Sequence, residues 1–146
     1  MGWNSLLGAI RTRGILSSDL REIIICRVAL INRAWFEWEH HLPILQRSDD
    51  FTDDMLEVVR RVDTTDDRGT LNDKQWSVLR YTDAMTKIVK VPDDIFTGLQ
   101  RVGFNEQEIV EISVTAAAYN MVSRFLVALD IGEVNEKPPT SALQDE

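Results

Sequence analysis

Arg21-Glu22-Ile23-Ile24-Ile25-Cys26-Arg27-Val28-Ala29-Leu30-Ile31-Asn32-Arg33 is an almost wholly apolar run with charge at both ends, and Ala34-Trp35-Phe36-Glu37-Trp38-Glu39-His40-His41 follows it directly. An apolar stretch with no polar face reads as a helix buried on all sides. Arg27 interrupts it and Asn32-Arg33 ends it, so it falls short of the roughly 18 residues that a membrane crossing needs. It is a core helix, and no membrane partner is expected. Ionisable groups bordering such an element are costly unless they are paired or used. Both histidines of the chain, His40 and His41, stand here among Glu22, Glu37 and Glu39.

Outward from this run, helical punctuation recurs. Ser18 is placed to cap a segment reaching Asn32, Asn72 with Gln75 forms a capping-box pattern, and Asn105 with Glu108 repeats it. Pro92-Asp93-Asp94 reads as a helix start, and Gly103 closes the helix that follows. No alternating stretch bounded by Asn-Gly or Asp-Gly appears, so a sheet has little support. The spacing predicts an all-α single domain of about six to seven helices, over 3–12, 18–32, 34–47, 52–62, 72–89, 93–102 and 105–129. Residues 63–70 read as a polar loop. The helical domain is expected to span 1–132, and 133–146 has too little apolar content to pack and reads as a mobile C-terminal tail.

With 146 residues, 44% of them hydrophobic, the chain can bury one continuous core. A net charge of −8 and a pI near 4.8 oppose binding to phosphate backbones or anionic lipid, so nucleic acid is an unexpected partner. The first twenty residues lack a signal-peptide pattern, which makes the cytoplasm the expected compartment. A single cysteine, Cys26, forms neither an internal disulfide nor a Cys-x-x-Cys pair, and its place on the apolar helix favours packing.

If 18–32 and 34–47 form an antiparallel hairpin turning near Arg33, Glu22 lies about 16 Å before the turn and His41 about 12 Å after it, near one level. Glu37 is four residues from His41 and three from His40, within reach of either imidazole. A buried carboxylate and an imidazole form an acid/base pair able to titrate near neutrality. A solvated Glu-His pair on a helix surface is the plain alternative, and spacing alone leaves both open. Glu37-Trp38-Glu39-His40 also contains the Glu-x-x-His spacing of di-iron bundles, but no second such motif exists, so no metal site and no cofactor are expected.

At these residues the chain resembles the carboxymuconolactone decarboxylase-like family of the alkyl hydroperoxidase D-like (AhpD-like) superfamily. The resemblance rests on Arg21-Glu22, the apolar helix, Ala34 through His41, and Phe104 through Leu129 with Tyr119-Asn120-Met121 at its centre, and covers roughly residues 15–130. In the peroxidase branch a glutamate precedes a Cys-x-x-Cys-x-x-x-His motif. Glu22 and His41 match that glutamate and histidine, while Ala34 and Glu37 stand at the cysteine positions. Neither can form a disulfide, so peroxidase chemistry is disfavoured while the proton relay is retained. The resemblance therefore implies a cofactor-independent lyase or isomerase, most of all a decarboxylase-like enzyme, acting on a small carboxylated, lactone-like or polyketide-like substrate.

On that reading His41 is the proton donor or acceptor, Glu37 its partner or a second acid/base, and Glu22 the group that orients it, with His40 as an alternative proton carrier. Trp35, Phe36, Trp38 and Tyr119 are candidates to wall a substrate pocket, against plain core packing. Arg27 is a candidate carboxylate clamp, against a structural ion pair. The family also implies a trimer or hexamer of this chain. Its larger members carry more helix upstream of the glutamate, so a partner subunit is expected to complete the pocket. The rival reading is a catalytically silent oligomeric binding or scaffold protein.

Overall fold

The computed structural model describes residues 2–62 and 66–143. Among the described residues the chain forms seven α-helices and no strand: α1 (Gly2–Thr12), α2 (Ser18–Asn32), α3 (Trp35–Gln46), α4 (Asp53–Arg60), α5 (Asp73–Lys87), α6 (Asp93–Arg101) and α7 (Glu106–Ala128), with a short 3₁₀ turn at Thr140–Ala142. Each helix end lies within two residues of the position its sequence signals indicate. Residues 63–65 of the expected polar loop lie outside the described residues.

α2 is the axis of the domain. Every residue from Glu22 to Leu30 is buried, and the helix packs against α3, α5 and α7 and touches α4. It contributes Ile23, Cys26, Ala29 and Leu30 to a core with α3 and α4, Leu20 and Ile24 to a core with α5, α6 and α7, and Ile25 and Val28 to a core with α1 and α7. At about 1.5–3 kcal/mol for each large aliphatic side chain removed from water, burial on every face explains why this segment is helical despite its β-branched isoleucines and valine.

The α2–α3 hairpin turns at Arg33, whose left-handed φ of 55° lets Ala34 N–H donate to the Ala29 carbonyl at 2.8 Å. The capping boxes at Asn72/Gln75 and Asn105/Glu108 are both formed. Gly103, at φ 91°, closes α6 and its N–H donates to the Gln100 carbonyl. Ser18, expected as a cap, is instead the first helical residue. Ser17 holds the cap position, and its hydroxyl bonds Asp19 rather than a backbone N–H.

The segment after Gly132 carries more packing than its composition promises. Trp38 Nε1–H donates to Ser141 Oγ at 3.0 Å, Arg60 Nε–H donates to the Ser141 carbonyl, and Val134 and Ala142 lie against the α2–α3–α4 core. A few well-placed contacts hold residues 133–143 where a continuous apolar face is lacking; residues 144–146 lie outside the described residues.

Of the two roles open to Arg27, the structure selects the ion pair. Its guanidinium is fully buried and grips Asp83 of α5 through both carboxylate oxygens, at 2.6 and 2.8 Å, while Nη1–H donates to the Val59 carbonyl. With all this engaged, Arg27 is not free to clamp a substrate. Removing one member of a buried pair strands the other, so Arg27→Met is expected to cost about 3–5 kcal/mol, whereas Arg27→Met/Asp83→Leu recovers most of that. Urea denaturation of both variants checks it; equal losses would show that the pair contributes nothing beyond its side-chain volume.

Candidate active site

Glu22 and Cys26 are four residues apart on α2, and Glu37 and His41 four apart on α3, so each pair shares one face of its helix. The tight turn at Arg33 sets those faces against each other. His41 Nδ1 lies 2.7 Å from Glu22 Oε2, and Arg21 Nε–H donates to the other Glu22 oxygen at 3.2 Å. With one oxygen holding a guanidinium, Glu22 is an acceptor for Nδ1–H. This orients the ring and leaves Nε2 as the nitrogen open to a reacting group. Tyr119 of α7 closes the cluster, with its ring edge-on to the His41 imidazole at a centroid distance of 5.1 Å.

Glu37 is the chemical centre of this arrangement. It is 2% exposed, and neither carboxyl oxygen has a hydrogen-bond partner among the described residues. Burial pushes its pKa well above the ordinary value of about 4.5, which favours the protonated carboxyl. The Cys26 thiol is also pushed well up, first by burial and then by the nearby Glu22 and Glu37 carboxylates. A thiol so placed yields little thiolate, the form that thiol catalysis requires. The Tyr119 hydroxyl is buried without a partner at hydrogen-bonding geometry. Its pKa is raised by burial and by Glu22 and Glu37, and the neighbouring Arg11 guanidinium opposes that rise.

Glu22, Glu37, His41 and Tyr119 thus come together. His40 does not: it is exposed, its Nδ1 lies 2.7 Å from the Phe36 carbonyl, and its ring stacks on Phe36. One residue along a helix turns a side chain by about 100°, which separates His40 from His41. Phe36 sits on that outer side, against Gly132. Trp35 and Trp38 belong to the α2–α3–α4 core, Trp38 being fully buried. Trp35 also lines a separate cavity of about 290 Å³ with Glu39 and the 133–139 segment. Among the described residues, no hydrogen bond or ring contact joins either tryptophan to Glu22 or His41. Arg11 is the neighbour that sequence reading passes over. Its one signal is its spacing four residues after Leu7, which anchors α1 on α7.

No group of three or more His, Cys, Asp and Glu side chains placed to hold a metal ion occurs among the described residues, and no described helix is long and apolar enough to cross a membrane.

An all-helical hairpin scaffold carrying an internal Glu-His pair is the class that fold and site define together. No family model and no curated protein matches the sequence. Among solved structures, similarity is found to a protein of unknown function from Agrobacterium tumefaciens, proposed to be the antioxidant defence protein AhpD. It is 24% identical, with a TM-score of 0.75, over 95% of this chain and 89% of that one. An uncharacterised peroxidase-related protein from Silicibacter sp. TM1040 matches at 19% identity and a TM-score of 0.72, over 87% of this chain and 65% of its own. An uncharacterised peroxidase-related protein with an alkylhydroperoxidase AhpD core, from Ralstonia eutropha JMP134, matches at 16% and 0.71, over 99% and 75%. The fold is the AhpD-like helical fold.

The raised Glu37 pKa has a signed consequence for stability. The folded protein retains a proton that the unfolded chain releases once pH exceeds about 4.5. The contribution is therefore complete below that pH and lost as pH rises through the folded value. Glu37→Gln removes this dependence, so its stability relative to the parent is expected to grow with pH above about 4.5. Urea midpoints of both proteins from pH 4 to 9 measure it; a pH-independent difference would show that Glu37 is not held neutral.

Proposed function

We propose that this chain is a cofactor-independent lyase or isomerase, most of all a decarboxylase-like enzyme, that moves protons on a small carboxylated, lactone-like or polyketide-like substrate. The observation carrying this reading is the Glu37 carboxyl, buried and without a hydrogen-bond partner among the described residues, beside a Glu22-oriented imidazole. Orphaned buried polar groups cost about 1–3 kcal/mol each, and a carboxyl whose pKa burial raises is better suited to donate a proton than an ordinary one.

In the decarboxylation, the bond from the substrate's carbon to its carboxylate breaks and the electron pair passes into a conjugated carbonyl, releasing carbon dioxide. Glu37 or the protonated His41 then donates a proton to carbon: the O–H or N–H bond breaks, the C–H bond forms, and solvent restores the proton. Isomerisation uses the same groups, with His41 Nε2 removing a proton from one carbon and Glu37 delivering one to another. Glu22 positions and electrostatically supports the imidazolium. The absence of cysteines at residues 34 and 37, together with the suppressed Cys26 thiolate, weighs against a peroxidase.

Incubation with small unsaturated acids and lactones in deuterium oxide, followed by mass spectrometry, is expected to show carbon dioxide release or deuterium at carbon. Glu37→Gln and His41→Ala should lower the rate about 100-fold or more while leaving the fold intact. Alkylating reagents should leave the rate unchanged, given the buried thiol. If no substrate exchanges a proton and both variants disturb assembly instead, the silent scaffold is the better reading.

Self-association is part of this proposal. Val110, Val114, Met121, Phe125 and Leu129 recur on one face of α7, each between 42% and 60% exposed, and Trp3 of α1 lies against Phe125. A stripe this long is of the scale that a second copy of the chain covers. Light scattering is expected to show an oligomer that Val114→Glu/Phe125→Glu converts to monomer; a monomeric parent at micromolar concentration would remove this part.

A further inference from the structure

The short 88–92 connection turns α6 back along α5, and the two helices pack on each other. A cavity of about 210 Å³ lies between their facing stripes, with Trp76, Ser77 and Arg80 on one side and Gly98 and Arg101 on the other. A second space of about 400 Å³ shares Trp76, Arg80 and Ile95 with it. Counted from Lys90, in the middle of the connection, Arg80 and Arg101 lie about 15 and 17 Å along the chain, so the two arginines stand at one level of the hairpin. Neither forms a hydrogen bond or an ion pair with a described residue. Arg80 is instead held over the Trp76 ring, 6.0 Å from its centroid, which positions the guanidinium and leaves its N–H donors unused. The acids on the same walls are otherwise engaged: Asp73 accepts from Arg68, Asp83 is gripped by Arg27, and Asp94 lies about two turns from Arg101, in the first turn of α6, where the helix N-terminus favours its charge.

Gly98 adds an independent observation. A glycine inside a helix costs stability relative to alanine. Here a Cβ would meet only Ser77 Oγ, at 3.6 Å, an ordinary contact, so packing does not require the glycine. Its missing side chain leaves the cavity open beside the two arginines and the Ser77 hydroxyl, which likewise has no hydrogen-bond partner among the described residues.

We propose that the α5–α6 cavity binds a small organic monocarboxylate with a flat apolar body. Arg80 and Arg101 take the carboxylate, Ser77 adds a hydrogen bond, and Trp76 and Ile95 line the apolar part. A monoanion fits better than a phosphate dianion, because Asp94 offsets one of the two cations. None of the lining residues belongs to α2 or α3, so this site is separate from the Glu22–Glu37–His41 cluster and goes beyond the proton-transfer reading.

Titration calorimetry with benzoate and its uncharged counterpart benzamide tests the assignment. The parent protein is expected to prefer benzoate by about 10-fold or more. Arg80→Met should remove that preference, Arg101→Met should reduce it about 3- to 10-fold, and Arg80→Lys should retain part of it. Gly98→Leu should exclude both probes, while Gly98→Ala should raise the melting temperature. Glu37→Gln and His41→Ala should bind benzoate as the parent does. No benzoate binding by the parent, equal affinity for the two probes, or unchanged benzoate affinity in both arginine variants overturns the site. Loss of benzoate binding in Glu37→Gln would put the probe at the α2–α3 cluster and overturns it as well. Should Arg80→Met fail to fold, Arg101→Met and Gly98→Leu decide the matter.

Discussion

The burial of α2 on every side is the constraint from which the rest of the structure follows. A helix with no solvated face cannot leave its ionisable side chains to water, so each must find a partner within the protein. Arg27 finds Asp83 and the Val59 carbonyl; Glu22 finds His41 and Arg21. The two solutions differ in kind. The Arg27–Asp83 pair holds two charges in complementary geometry and ties α2 to α5. The Glu22–His41 pair joins a carboxyl to an imidazole, and it lies at the α2–α3 seam where His41 retains some exposure.

Against that background Glu37 is the exception. Its helix presents it to the same seam, but no hydrogen-bond partner meets it among the described residues, and burial shifts the carboxyl toward its neutral form. The stability given up by leaving two oxygens unsatisfied is the kind of local inconsistency that functional sites carry. In the resemblance drawn from sequence, Glu37 stands where a redox cysteine stands in the peroxidase branch. A carboxyl there cannot form the disulfide that a cysteine pair forms.

Much of this was legible in the chain because it depends on local rules. Asn72/Gln75 and Asn105/Glu108 announce helix starts through backbone hydrogen bonds that do not depend on tertiary context, and the apolar run of α2 identifies itself by lacking a polar face. The Glu37–His41 spacing likewise fixes a shared helix face. What was not legible depends on packing between distant segments. Choosing between Arg27 as clamp and as ion pair required knowing that Asp83, 56 residues away, faces it. The choice between His40 and His41 turned on which side of α3 meets α2. Ser141 reaching back to Trp38 has no local signal at all.

α1 illustrates the same limit. Nothing in its sequence marks where it docks, and its place arises only because Leu7 packs it beside Tyr119. α1 is the least buried of the helices, with Leu7 its one fully sheltered side chain, so it adds little to the core. The contribution of α1 to the fold is therefore concentrated at the one position where it meets α2 and α7. The inner side of the cluster is made by α2, which carries Glu22, and α3, which carries Glu37 and His41. α1 is attached outside them through Leu7 and Ile10, which pack with Ile25, Val28, Tyr119 and Val122.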